Sequence, residues 1–104
     1  MHKLMVLYPE PQDRTAFEQY YTSTHLPLVE QLPEMLDWRY SLNVAAAEDT
    51  SPYFAVFEAD FPDGEAMGRA LASDAGAAVQ NDVPNYATGG AIVLHYPLAD
   101  PAPN

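Results

Sequence analysis

The residues best suited to chemistry lie together in the stretch Tyr20-Tyr21-Thr22-Ser23-Thr24-His25-Leu26-Pro27-Leu28. An imidazole titrates near neutral pH and can give or take a proton. Neighbouring phenols can donate hydrogen bonds to an oxyanion that such a transfer creates. Two influences on His25 oppose each other. The C-terminal end of a helix favours the cationic ring. Burial among Tyr20, Tyr21 and Leu28 favours the neutral one. A histidine balanced between them is suited to general acid or base work; its structural alternative is a ring bonded to a backbone carbonyl, holding the helix end.

Other side chains qualify as ligand contacts. Trp38 and Tyr40 share one face of a strand and would give an aromatic ligand a flat wall, or would simply pack a core. Tyr86 follows Pro84-Asn85 and could close a pocket mouth, while Asp82 could cap a helix or orient a neighbour. His95 lies on the last strand and could reach the same cleft. His2 is expected to be exposed and inert. Arg39 falls on the polar side of its strand with Asp37, Ser41 and Asn43. It would pair with Asp37 or Glu58, or anchor a substrate carboxylate.

Several chemistries are set aside. The chain has no cysteine, hence no thiolate nucleophile, thiolate metal site or disulfide, and it fits a reducing compartment. No serine sits in a nucleophile elbow. The three histidines are too far apart for a metal motif, so no metal is expected. No cofactor is expected either; haem ligation by His25 is the weaker reading. Fifteen acidic residues face four basic ones, for a net charge of -11, which disfavours nucleic acid and anionic membranes as partners. No apolar run reaches the ~20 residues of a membrane helix, and the N-terminus lacks a signal-peptide core. The expectation is a cytoplasmic protein.

These residues must be positioned by few elements. A length of 104 residues means one domain, assigned to 1–97, with a loose tail over 98–104. Residues 2–8 read as a strand bounded by Pro9. Residues 13–24 read as a helix capped by Asp13, with Phe17, Tyr20, Tyr21 and Leu28 on one stripe. Pro27 should break that helix at Leu26 and could open a second short turn running to Gln31. Residues 35–46 alternate strictly, a long strand, and a turn over 48–52 leads into a second strand at 53–60. A helix follows Pro62-Asp63-Gly64, and Ser73-Asp74 caps further helical turns in which Ala75, Gly76, Ala77 and Ala78 permit close approach. Residues 91–96 form the last strand.

The order βαββαβ predicts an α+β, ferredoxin-like antiparallel sheet with its helices on one face. The strands are nonetheless apolar on both sides. A bare sheet face should be polar, and no element is left to cover it, so the economical arrangement is a homodimer with two sheets face to face.

The chain resembles the EthD-like proteins of the dimeric α+β barrel superfamily. The resemblance is carried by Tyr8-Pro9, Phe17 with Tyr20-Tyr21, His25-Leu26-Pro27-Leu28, Trp38-Arg39-Tyr40, Phe61 with Glu65-Ala66-Met67, Ala70-Leu71-Ala72-Ser73 and Asp82-Val83-Pro84-Asn85-Tyr86. It implies ferredoxin-like protomers paired into a barrel. The founding member is named for ethyl tert-butyl ether degradation, where it accompanies a cytochrome P450 system. Wider relatives include methylmuconolactone isomerases, polyketide cyclases, cofactor-free monooxygenases and haem-degrading enzymes. The resemblance therefore implies a small apolar or aromatic ligand and leaves the reaction open. Two functional classes follow. One is a cofactor-independent catabolic enzyme with His25 as general acid/base and Tyr20, Tyr21 or Tyr86 at the oxyanion. The other is a ligand-binding or accessory protein of a degradation pathway.

Overall fold

A computed structural model describes residues 1–99. Four strands form one antiparallel sheet: β1 (His2–Pro9), β2 (Asp37–Leu42), β3 (Tyr53–Phe61) and β4 (Ile92–Pro97). Their order across the sheet is β2-β3-β1-β4, the ferredoxin-like order that the sequence implies. The tail assigned to 98–104 begins at Leu98, whose N–H bonds the Met1 carbonyl at 2.9 Å; residues 100–104 lie outside the described residues. No helix among the described residues is long and apolar enough to cross a membrane.

Side chains alternate between the two faces of each strand. Leu4, Val6 and Tyr8 of β1 lie beside Ala59, Phe57 and Ala55 of β3, and all six are buried beneath the helices. The other face carries Met5, Leu7 and Val56, joined on β4 by Ile92, Leu94 and Tyr96, which are 37% to 45% exposed. Beside this apolar strip lies a charge cluster. Arg39 meets Asp60 at 2.6 Å, Asp37 at 3.4 Å and Glu58 at 3.6 Å, and Lys3 meets Glu58 at 3.0 Å. Asp60 is thus Arg39's nearest partner, where the sequence suggested Asp37 or Glu58.

The first connection differs from expectation in an informative way. Helix α1 (Arg14–Tyr20) starts at the Asp13 cap, whose carboxylate accepts from the Ala16 N–H. It does not break at Leu26. It widens into a π-helical turn, Tyr21–His25, and continues as α2 (Leu26–Val29). Pro27 can enter because proline is tolerated in the first turn of a helical segment, where its missing N–H is not needed. The Leu26 N–H reaches back five residues to the Tyr21 carbonyl. Thr22 and Ser23 hydroxyls donate to the Glu18 and Gln19 carbonyls, occupying acceptors that the widened turn loosens. The continuation buries Leu26 and Val29, leaving Leu28 only half-buried.

Strand β2 is shorter than the expected 35–46. Asn43 takes a left-handed φ of 62° and ends it, although Leu36 and Val44 still bond to β3 beyond its ends. In the second connection, α3 (Gly64–Ala72) is capped by Asp63 and α4 (Asp74–Asp82) by Ser73. Gly76 is where α4 meets the end of α3: a methyl there would sit 2.3 Å from the Ala70 oxygen. That close approach seats α4 on α3 and delivers Asp82, its last residue, under the π turn.

Candidate functional site

His25 and Asp82 meet in the core. Nδ1 of His25 lies 2.9 Å from Oδ2 of Asp82, and both residues are buried. An ionised carboxylate can only accept, so Nδ1 carries the proton and Nε2 presents a lone pair. Nε2 has no partner among the described residues, and His25 lines a cavity of about 100 Å³ between the sheet and the helices. The remainder of that lining is mainly aliphatic and aromatic, including Leu4, Val6, Val29, Phe57 and Val79, with the Tyr8 ring beside them. Gln80 and Val93 are its exposed rim.

Asp82 is held by neutral donors. The Tyr20 hydroxyl donates to Oδ1 at 2.5 Å and the Asn85 amide at 3.0 Å. Burial works against its ionisation, but the bonds from Tyr20, Asn85 and His25 outweigh it and hold the carboxyl below its usual range. Burial lowers the His25 pKa, and the Asp82 bond only partly restores it, so the ring is neutral near pH 7. A neutral imidazole with a fixed tautomer and a free Nε2 is a general base; once protonated, it has a carboxylate behind it.

Phenols surround the pair. Tyr21 stacks on His25 with ring centroids 5.4 Å apart, one wide π turn along the helix, and Tyr86 lies 4.5 Å from the His25 ring. Tyr8 and Tyr86 share a hydroxyl bond of 2.7 Å. The Tyr21 hydroxyl is buried without a partner among the described residues. Burial pushes the Tyr8, Tyr21 and Tyr86 hydroxyls up, which keeps them neutral donors. π turns recur at functional sites, and this one sets Tyr21 and His25 over Tyr8.

The structure therefore brings together His25, Tyr20, Tyr21 and Tyr86 from the expected set. Tyr86, imagined at a pocket mouth, is buried beside the imidazole. Trp38 and Tyr40 form a stacked pair on one face of β2, Trp38 against Phe57 of β3 and Tyr40 edge-on to Tyr21, and neither lines the cavity. His95 is elsewhere: its Nδ1 lies 3.0 Å from Nε2 of His2, an exposed pair at the sheet's edge. The sequence reading missed Tyr8 as a site residue and left Asp82 as one of several loop possibilities. One signal pointed to Asp82. An acid at the C-terminal end of a helix faces the negative end of the dipole, so something else must hold it there.

Comparison with known proteins places the chain. The EthD domain model matches residues 9–90. A Rhodococcus erythropolis protein, described as an uncharacterized 11.0 kDa protein in the thcB-thcC intergenic region, is 32% identical over 96 residues, covering 90% of this chain and 91% of its own. The crystal structure of an ethyl tert-butyl ether degradation (EthD) family protein from Bacillus halodurans superposes with a TM-score of 0.88 at 27% identity, covering 95% of this chain and 99% of that one. A hydroxynitrile lyase from Passiflora edulis shares the fold at 17% identity, with a TM-score of 0.76 and coverage of 98% and 96%. Further neighbours of this fold are described as dimeric ferredoxin-like proteins.

Proposed function

The chain belongs to the EthD family, and from that premise we propose that it is a small-molecule enzyme in which His25 moves a proton on an apolar, oxygen-bearing ligand. One observation carries this reading: His25 is tied through Nδ1 to a buried carboxylate while its ring, with Nε2 unpartnered among the described residues, lines an apolar cavity. Nε2 would take a proton from a carbon next to a carbonyl, or from a phenolic oxygen. The electron pair left behind moves onto oxygen, where a neutral hydroxyl such as that of Tyr8, a residue of the cavity lining, can donate to it. Asp82 stabilises the imidazolium meanwhile. Returning the proton to a different atom gives isomerisation, cyclisation or lactone chemistry. The reading calls for no cofactor. A cysteine-free sequence fits a reducing, cytoplasmic setting for catabolic chemistry.

The same proposal includes a homodimer. Met5, Leu7, Val56, Ile92, Leu94 and Tyr96 form an apolar strip on a sheet face that no other element among the described residues covers. A second copy laid sheet to sheet would cover both strips and shield the β4 edge.

The test is deuterium wash-in. Small enolisable ketones and lactones are incubated in D2O with wild type and with His25→Gln, which keeps hydrogen-bonding capacity but cannot titrate. Wild type should exchange the protons next to the carbonyl faster than buffer, and the variant at least about 100-fold more slowly. Binding without wash-in by wild type would replace this reading with that of a non-catalytic carrier.

A further inference from the structure

The cavity's lining says more about its occupant than the dyad does. Its accessible side chains are aliphatic or aromatic apart from His25, Tyr8 and Gln80, and Gln80 stands at the rim with its amide nitrogen already on the Leu71 and Gly76 carbonyls. No cation is within it. All four basic side chains of the chain are committed elsewhere: Lys3 to Glu58, Arg14 to Glu10, Arg39 to Asp60 and Arg69 to Glu34. The formal charge lying behind His25 is negative, on Asp82, and the chain as a whole carries -11. A carboxylate or phosphate entering here would lose its water, gain no counter-ion and approach a buried anion.

Size narrows the occupant further. An apolar cavity of about 150 Å³ takes benzene. The present one measures about 100 Å³. A compact ligand of about five or six heavy atoms suits it, and a larger one would extend past the exposed rim at Gln80 and Val93.

We propose that the site selects a small uncharged molecule with one oxygen function, a ketone, aldehyde or alcohol of about six heavy atoms or fewer, and excludes its carboxylate counterpart. The inference rests on the cavity being the ligand site, as the proposed function requires. The oxygen sits at the His25 and Tyr8 end, the one polar part of the interior; the hydrocarbon part lies against Val6, Val29 and Val79. Selection by charge here comes from an absent partner, and the discrimination it gives is large because an unpaired buried charge is costly.

A matched pair tests it. 3-Methyl-2-butanone and isobutyrate have the same shape and the same number of heavy atoms, with a methyl in one replaced by a charged oxygen in the other. Each is titrated into protein carrying labelled valine methyls, followed by NMR at pH 7.5. The ketone should shift the methyls of Val6, Val29 and Val79 saturably, with isobutyrate at least about 100-fold weaker. Gln80→Lys, which sets an ammonium on the rim, should narrow that ratio by at least about tenfold. Equal saturation of the same methyls by isobutyrate overturns the charge selection while leaving the cavity as the ligand site. If neither compound shifts those methyls, the cavity is not the site, and both the selection and the proposed function fall.

Discussion

Two buried or half-buried aspartates sit on opposite faces of one sheet, and they are held in opposite ways. Asp60, on the uncovered face, is surrounded by cations: Arg39 at 2.6 Å and Lys3 at 3.5 Å. Asp82, on the helix side, is surrounded by a phenol, an amide and an imidazole. Arg39 holds the Asp60 carboxyl below its usual range, so Asp60 stays ionised through the physiological range. An acid satisfied by neutral donors leaves a neighbour free to titrate. Permanent ion pairs fix a structure, whereas a carboxylate backing an imidazole builds a base. The difference also shows in what each region lacks, since none of the described residues covers the open face and no cation lines the cavity on the helix side.

The largest expected effect comes from removing the hub of the helix-side cluster. Asp82→Ala strands the Nδ1 proton of His25 and takes away the acceptor of Tyr20 and Asn85. Leaving buried donors unpaired costs about 2 to 3 kcal/mol, read as a lowered urea midpoint with an unchanged slope. It also frees the imidazole to rotate, so deuterium wash-in should fall with it. Asp82→Asn retains an acceptor and should lose less stability. A variant with full wash-in and lost stability would make Asp82 purely structural.

Next in size is the open face. Leu94→Glu places a charge in the middle of the apolar strip without touching the cavity. Sedimentation should show a dimer for wild type and a monomer for this variant, with helix content unchanged by circular dichroism. A variant that stays dimeric would move the interface off this face.

Local chemistry accounts for what the sequence foretold. The caps at Asp13, Asp63 and Ser73 each act within three residues of themselves, so the starts of α1, α3 and α4 were legible. The strand alternation fixed the two-faced sheet. What eluded it was set by contacts across the chain or by unusual backbone. The preference of a pre-proline residue against helix was overridden at Leu26 because the π turn supplied other acceptors and donors. Strand β2 was overextended because its alternation continues past Asn43, whose left-handed backbone ends the regular ladder. The Tyr8–Tyr86 and His25–Asp82 contacts join residues 78 and 57 apart, a separation at which no periodicity reports pairing. His95 read as a site residue only because a histidine on a strand can point either way along the sheet; it pairs with His2 instead.

The smallest effect is the sharpest discriminator between the two faces, because they titrate in different windows. The His25 pKa is lowered from 6.5 in the folded protein by burial. The unfolded chain therefore binds the proton first, and the contribution of neutral His25 is complete above about pH 7 and is lost as the pH falls through the folded value. Asp60 and Asp82 are lowered from 3.8, so their contribution is complete above about pH 4.5 and fades only below that. Between about pH 7 and 5 the stability of wild type should fall with a slope that stays under about 1.4 kcal/mol per pH unit, the limit for one proton. His25→Gln should flatten that slope. Arg39→Ala, which costs under about 1 kcal/mol at a half-exposed pair while Asp60 is ionised, should leave the slope in this window alone, and its deficit should shrink below about pH 4.5 as Asp60 takes up its proton. Urea titrations of the three proteins at half-unit steps separate the two. A slope that persists in His25→Gln would assign the titration to another group and dissolve the contrast between the imidazole-backed acid and the ion-paired one.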